Sequence, residues 1–599
     1  MNETEIKQKI ISTLGNDPGL MRDDDKLSFI LFLLLWAKFI PQTDENIIGY
    51  FDFIESVDTI EKFDFISNEL IRLTGIKVQY LLGRRDLIKN SLIHKVDNYR
   101  SSLLMVAKSL AKGNKKEIDW IIESFQNIKL KFDLNYKFGP GFVNESVLHF
   151  AESIFKYEGS TEKDVINCLF PSGTASAHHF ANKNNVSIFE KNEFLDTCTK
   201  SLIALYGKPF KFNEKCIDRD FTFALPPIGI KAANIMEWSP FSEDHDSKNI
   251  IDLHTKLIYL AHKNTNKITI ALTSLNTLFS KTTGINFFRK KIVDNNWIDS
   301  IFLLPKSVFS NTNIPSAMLV LKKQREEKPI NFINLSDFDK DHKTFPEPDS
   351  FDKNKLKVSL KDRVFRVSRN EIISNDYDLN SNKYIVSNED KKLISILRKR
   401  DTRSLGTLVE FLRPLPFKKS LNGSELNEIM ISDINFLGEI DSTEKKTIVS
   451  EQFLAKSNLP TVKKGDLVIS IKGTLGKVGM IFSELENTIP GPSLCILRTY
   501  DSSIIQKEYL FQYLRSKLGQ RMISRSSQGG YVPFISMTDL KNLQIPIPTA
   551  EEQKKAKKIS KRSKEIINSI QEMKSELDNC VENGWLDITS GLSRKEGDK

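Results

Sequence analysis

The sequence predicts a multi-domain α/β protein with a helical N-terminal domain, a doubly wound α/β domain, an α+β domain and a long C-terminal helix. Three observations lead there. The chain has 599 residues, 40% of them hydrophobic, with 27 glycines and 21 prolines, which suits three or four globular domains and excludes a disordered or collagen-like chain. Short apolar, β-branched runs alternate with helical segments between about 126 and 335, the pattern of a parallel sheet covered on both faces. An apolar series at alternating spacings of three and four closes the chain.

Residues 1–125 carry helical periodicity in Leu27, Ile30 and Leu34, with Lys38 beside Phe39 one turn on. Asp23 to Asp25 sit where a helix start favours negative charge. Over 126–345 the runs Val165 to Leu169, Val186 to Phe189, Ile268 to Leu272, Ser300 to Leu304 and Ala317 to Leu321 read as strands. Residues 346–400 read as a connecting segment, because 336–366 is dense in Asp and Lys and holds Pro346 and Pro348. Strand and turn signals return over 401–548, with Gly465, Gly473, Gly476 and Gly479 closely spaced. The segment 549–580 opens on a Thr549/Glu552 capping box and places Ala556, Ile559, Ser563, Ile566, Ile570, Met573 and Leu577 along one seam. That seam packs either on a partner helix or back on its own domain. Residues 581–599 read as a frayed polar tail.

Lys and Arg number 87 against 77 Asp and Glu, a net charge of +10, which suits a polyanionic partner and makes nucleic acid the first candidate. Cys168, Cys198, Cys216, Cys495 and Cys580 form no Cys-x-x-Cys pair, so neither a disulfide framework nor a structural metal site is expected, and a reducing cytoplasm is the expected compartment. The longest apolar run, Phe29 to Ala37, falls short of the roughly 20 residues a membrane helix needs. No basic, apolar, cleavable leader opens the sequence, so membrane insertion and secretion are not expected.

A doubly wound sheet binds ligands at the carboxyl ends of its strands. After the first strand stands Pro171-Ser172-Gly173-Thr174-Ala175-Ser176. Glu190 follows 17 positions beyond Gly173, where a carboxylate accepts from ribose hydroxyls in nucleotide-binding folds. On spacing alone this is more simply a tight turn and a solvated carboxylate. A further apolar strand ends in a double proline, Phe221-Thr222-Phe223-Ala224-Leu225-Pro226-Pro227-Ile228-Gly229.

With that strand the chain resembles the amino-methylating DNA methyltransferases, specifically the modification subunit of type I restriction-modification systems. The resemblance continues through Gly284, Arg289-Lys290-Lys291, Ile298, Leu304-Pro305, Val308-Phe309, Asn313-Ile314-Pro315 and Leu319-Val320-Leu321-Lys322-Lys323. It also covers Glu3 to Lys9 and the Phe29 to Phe39 helix. It implies that 126–345 is a Rossmann-like methyltransferase domain.

The family's Asn/Asp-Pro-Pro-aromatic motif accepts hydrogen bonds from the target amino group and stacks an aromatic ring on the flipped base. Here the motif is degenerate: Leu225, Pro226, Pro227 and Ile228. Leucine has no acceptor, a loss of about 3 kcal/mol or more of transition-state stabilisation, and isoleucine cannot stack as an aromatic does. The cofactor loop has Asn167, or a residue near it, where the family has an acid and keeps only Gly173. Gly141-Phe142-Val143-Asn144 stands where the family has an aromatic-Thr-Pro motif. No intact catalytic residue is expected, with Gly173 and Glu190 as vestigial cofactor positions. No cofactor is expected, S-adenosylmethionine being the one implied if the pocket is retained.

Residues 405 to 553 resemble one target recognition domain of the type I specificity subunit. The series runs through Leu405-Gly406, Ile431 to Ile434, Val462 to Ser470, Lys472-Gly473-Thr474-Leu475-Gly476-Lys477-Val478-Gly479, Val532 to Ser536, Asp539-Leu540, Ile545 to Pro548 and Glu551-Glu552-Gln553. Lys472, Lys477, Arg521 and Arg525 are its candidate DNA contacts. Glu371-Ile372, Asn375-Asp376-Tyr377, Leu379 and Tyr384 resemble the segment that introduces such domains.

Together these imply a sequence-specific DNA-binding component of a restriction-modification-like or anti-phage defence system, with an inactive methyltransferase scaffold. The implied partners are double-stranded DNA, a second copy or another subunit along the C-terminal helix, and a nuclease or helicase encoded elsewhere. The alternatives are an active adenine-N6 methyltransferase and a non-enzymatic DNA-binding regulator.

Overall fold

The computed structural model describes residues 60–79, 143–170, 176–181, 183–189, 193–205, 219–226, 240–306, 314–336, 363–384, 399–415, 422–456, 459–500, 504–527 and 533–593, with isolated positions between them. The chain divides into two compact units, Met1–Ile385 and Val386–Lys599. Of the expected N-terminal helical domain, the described residues hold the helix Ile60–Thr74 and the buried helical positions Leu31, Phe32 and Leu35. Glu3 to Lys9, Leu27, Ile30, Leu34 and Lys38 lie outside them.

In the first unit, β1 (Val165–Leu169), β2 (Asn185–Phe189), β3 (Arg219–Ala224), β4 (Thr265–Ser274), β5 (Ile298–Leu303), β6 (Ser316–Lys322), β7 (Ile330–Asn334) and β8 (Val364–Val367) form one sheet. Their order is β2-β1-β3-β4-β6-β5-β7-β8. β2, β1, β3 and β4 run parallel. β6 is antiparallel to both neighbours and β8 to β7, which corrects the expectation of a wholly parallel sheet. Pro305 and Pro315 stand at the two ends of the connection from β5 to β6, where a residue without an N–H suits a strand end better than a helix interior.

Side-chain alternation splits the apolar residues between two faces: Ala317, Leu319 and Leu321 of β6 join one cluster, Met318 and Val320 the other. The helices Glu145–Tyr157 and Ala177–Ala181 cover the second face, and Leu253–Lys263 and Thr283–Asp294 the first. Two covered faces explain why the central strands are buried along their length.

The sheet reaches beyond residue 345. β8 lies in the segment expected to connect domains, and Ile372, Leu379 and Tyr384 pack into the apolar cluster of the first unit. Arg289, 2% exposed, holds this stretch. It donates from Nε to the Tyr377 carbonyl at 2.9 Å, from Nη1 to the Thr277 carbonyl at 3.2 Å and from Nη2 to Asn286 Oδ1 at 3.2 Å. Asp376 and Tyr377 both take left-handed backbone, φ 57° and 56°, a conformation that side chains adopt only when their surroundings enforce it.

The second unit contains β9 (Thr402–Ser404), β10 (Val409–Leu412), β11 (Ser424–Ile429), β12 (Glu439–Ile440), β13 (Lys446–Val449), β14 (Leu467–Ser470), β15 (Val478–Ile481), β16 (Thr488–Pro490), β17 (Leu494–Thr499) and β18 (Gln544–Pro546). They form sheets in the orders β10-β17-β14-β15-β12, β13-β11-β16 and β18-β9. The helices Lys507–Arg515, Lys517–Arg525 and Met537–Lys541 complete an α+β arrangement.

The last helix runs Ala550–Ser593, 44 residues, so the chain from 581 to 593 is helical and not the frayed tail the sequence suggests. Val581 and Trp585 carry the apolar stripe onward at i, i+4. The capping box forms as expected: Thr549 N–H donates to Glu552 Oε2 at 2.9 Å and Glu552 N–H to Thr549 Oγ1 at 3.2 Å. The first turns pack back on their own unit, through buried Ala556 and a 3.1 Å bond from Gln512 Nε2 to Ser560 Oγ. Ile559, Ile566, Ile570, Met573 and Leu577 are 45–63% exposed. No helix among the described residues is long and apolar enough to cross a membrane.

Candidate functional site

A doubly wound sheet opens its crevice where neighbouring strands are connected in opposite directions. Here that point lies between β1 and β3, since β2 flanks β1 on one side and β3 and β4 continue on the other. The register sets Leu169 opposite Ala224, and Leu225 N–H donates to the Leu169 carbonyl at 3.2 Å. The chain therefore leaves the sheet at Phe170 and Leu225 from adjacent strands. Gly173, Glu190 and Pro227 lie outside the described residues.

Leu225 is fully buried in the cluster of Phe221, Phe223 and Ile270, and Ile228 is half-buried. The Pro226 carbonyl is 3.2 Å from His254 Nδ1. A carbonyl only accepts, so Nδ1 carries the proton; Nε2 lies 2.7 Å from Thr273 Oγ1, which donates to Thr277 Oγ1 at 2.6 Å. His254 sits in the first turn of Leu253–Lys263, which is capped by Asp252 Oδ1 accepting from Thr255 N–H at 2.9 Å.

Asn167 on β1 is wholly buried and neither of its amide atoms has a hydrogen-bond partner. It stands in register with Ser187 and Thr222, and Thr222 with Thr269, a buried polar row across four strands. Phe170, 1% exposed, has φ 70°, where a bulky side chain is an outlier.

In the second unit, two stretches far apart in sequence meet. Ile535 N–H donates to the Ile471 carbonyl at 3.0 Å and Gly473 N–H to the Pro533 carbonyl at 2.9 Å. Gly476 has φ 77°, and a Cβ there would lie 3.1 Å from Ile523 and 3.2 Å from Gln520, so this turn needs glycine for both reasons. Gln520 Nε2 donates to the Gly476 carbonyl at 2.9 Å, seating Lys517–Arg525 on the glycine turn.

The four basic candidates thus fall on two adjoining elements. Lys472 and Arg521 are exposed, Arg525 is half-buried, and Lys477, also half-buried, donates from Nζ to the Ile431 carbonyl at 2.9 Å. Beside them Phe436, 73% exposed, tops a turn that sequence reasoning missed. Asn435 Oδ1 accepts from the N–H groups of Leu437 and Glu439, each at 2.9 Å, and the Arg515 guanidinium donates to the Phe436 and Leu437 carbonyls. A cavity of about 180 Å³ opens there, lined by Phe436, Gly476, Lys477, Arg515 and Gln520 among others. The signal for this turn was the string Asn435-Phe436-Leu437-Gly438, an aromatic between turn formers.

The N-6 DNA methylase family model matches residues 213–392, and the type I restriction modification DNA specificity domain model matches 360–579. Within one chain, a stretch similar to N-6 DNA methylases is thus followed by one similar to type I specificity domains. The MpnII methylase subunit of a type I restriction enzyme from Mycoplasma pneumoniae is 34% identical over 118 residues, 18% of this chain and 21% of that relative. The EcoBI specificity subunit from Escherichia coli is 27% identical over 153 residues, 25% of this chain and 31% of that relative. The chain thus matches less than a third of the length of either. Among solved structures, the methyltransferase subunit of a type I restriction-modification system from Streptococcus thermophilus covers 64% of this chain and 100% of its own, at 14% identity and a TM-score of 0.45.

The match of residues 213–392 to the N-6 DNA methylase model implies S-adenosylmethionine as the cofactor of an active domain of that kind. Gly173 and Glu190, the positions the sequence assigns to that cofactor, lie outside the described residues. The acid of the family's loop is replaced by Asn167, sealed inside the sheet, while Phe170 and Leu225 are buried at the strand ends that border the crevice. In the specificity domain, the glycine turn and the basic helix form one continuous surface with the Phe436 turn.

Proposed function

We propose that the chain is a sequence-specific DNA-binding component of a restriction-modification-like or anti-phage defence system, in which the methylase domain is a scaffold that does not transfer methyl groups. The observation that carries this reading is the state of the two acceptors that amino-group methylation requires. One is absent, because Leu225 stands in its place; the other, the Pro226 carbonyl, already accepts from His254. Each acceptor holds developing positive charge on the target nitrogen, so losing one raises the barrier by about 3 kcal/mol. Ile228 in place of an aromatic ring further weakens the hold on a flipped base.

The match to the type I specificity domain supports DNA reading, as do exposed Lys472 and Arg521 beside the Phe436 turn. The partners in this reading are double-stranded DNA, a second copy or another subunit along the helix beyond Ile559, and a nuclease or helicase chain.

Sequencing of modified bases in plasmid DNA from an expressing host tests the scaffold reading. No new modified motif is expected, and the appearance of one means an active adenine-N6 methyltransferase. Mobility shifts against a random-sequence duplex pool are expected to enrich one motif. Equal retention of every sequence removes the claim of sequence reading.

A further inference from the structure

One face of the helix Glu145–Tyr157 carries Glu145, His149 and Glu152 at i, i+4 and i+7, and His179 meets them from the helix Ala177–Ala181. His149 Nε2 lies 3.5 Å from Glu145 Oε1. Glu152 Oε2 lies 3.7 Å from His149 Nδ1 and 3.5 Å from His179 Nε2. One ligand atom from each of Glu145, His149 and His179 lies within 4.8 Å of the other two, and the imidazole centroids are 4.5 Å apart at an interplanar angle of 82°.

The His179 side chain is 8% exposed, and its Nε2 faces the cluster with Glu152 Oε2 3.5 Å away, the outer limit of a hydrogen bond. Glu152 is accounted for separately, since Lys183 Nζ holds its Oε1 at 2.7 Å. That ion pair leaves the convergence of Glu145, His149 and His179 unexplained, and a long contact leaves a buried imidazole nitrogen only weakly satisfied.

We propose that Glu145, His149 and His179 form a binding site for one divalent transition metal of the zinc class. Imidazole and carboxylate donors together select such an ion over magnesium or calcium, which take oxygen ligands. Ligand bonds of about 2.0–2.2 Å in tetrahedral array put neighbouring donor atoms about 3.4 Å apart, so the 3.5 Å pair needs almost no movement. Glu145 and His149 are 59% and 57% exposed, free to turn the remaining distance. Glu152 adds negative charge beside both imidazoles and meets His149 at Nδ1, where it orients the ring whose Nε2 faces Glu145. The absence of Cys-x-x-Cys pairs did not bear on this site, because it uses no cysteine. The ion ties the helix that covers β1 to the short helix following the first strand, a structural role independent of methyl transfer.

The test uses the full chain in a Cys580→Ser background, which removes an exposed thiol that binds metals non-specifically. After chelator treatment, equilibrium dialysis against Zn²⁺ alone is followed by metal analysis, with Co²⁺ absorption as a report on donor geometry. One Zn²⁺ per chain is expected, with a raised thermal midpoint. Glu145→Ala and His149→Ala, both at exposed positions, are each expected to weaken binding more than about tenfold. Unchanged melting of the metal-free variants shows that they are folded, and His179→Gln serves as a third variant. The proposal is overturned by no Zn²⁺ uptake, by uptake indifferent to these substitutions, or by Mg²⁺ raising the melting point as much as Zn²⁺.

Discussion

Thr273 Oγ1 lies 2.7 Å from His254 Nε2, and that contact aims the opposite ring nitrogen at the Pro226 carbonyl, 3.2 Å away. A hydroxyl on β4 thus fixes how a histidine meets the strand end beside it. Thr273→Val keeps the shape and removes the hydroxyl that bonds both His254 and Thr277. A loss of about 1–3 kcal/mol is expected in urea unfolding. An unchanged midpoint means that the hydroxyl contributes nothing.

Rebuilding the degenerate motif is expected to damage the fold before it restores chemistry. Leu225 is fully buried among apolar side chains, so Leu225→Asn with Ile228→Phe costs about 2–4 kcal/mol through the lost apolar burial and an amide without partners. No labelled methyl group from S-adenosylmethionine is expected on DNA. Label on DNA means that these two side chains alone held activity back.

Phosphate contacts are read from salt dependence. Lys472→Ala and Arg521→Ala are each expected to lower the slope of log affinity against log salt by about one, without changing the preferred sequence. Phe436→Ala is expected to leave the slope alone and cut affinity about tenfold or more, the scale of one lost stacking contact. Equal slopes in all variants remove the two basic residues from the DNA surface.

Much of this was legible in the sequence, for physical reasons that also mark the limits. The strands around Cys168, Ile188, Ile270, Phe302 and Leu319 stand out because a strand buried on both faces is a continuous apolar run. β8 hides because its sequence, Val364-Phe365-Arg366-Val367, alternates at the sheet edge and follows a stretch of Asp and Lys. The pairing of His254 with Pro226 joins residues 28 positions apart and leaves no local pattern. Gly476 was recognisable as a turn former, but the helix it must admit, through Gln520 and Ile523, was not.

The exposed seam of the last helix supplies a fourth expectation. Ile566→Lys with Leu577→Lys places two charges on a stripe that the unit leaves open, at positions 47% and 63% exposed. Light scattering is expected to show self-association in the parent chain and a monomer in the variant. A parent that is monomeric at every concentration assigns the seam to a different subunit.

Asp244 gives an acid-side prediction. Burial alone would raise its pKa, but Lys263 and the Ser247 N–H outweigh that and hold the carboxyl at about 2, against an ordinary 3.8. A depressed pKa stabilises the fold above the unfolded value, so this contribution is complete above pH 3.8 and lost as pH falls towards 2. Asp244→Asn is expected to cost about 1–2 kcal/mol at neutral pH and to flatten that part of the stability profile. An unaltered profile assigns acid sensitivity to other carboxylates.

The Arg289 clamp has a consequence for inheritance. By holding the Tyr377 carbonyl, Arg289 fastens the chain to the first unit just before the division after Ile385. A genetic crossover falling past Tyr384 leaves all eight strands and the clamp together on one side. The unit that follows can then be exchanged without unpicking this core.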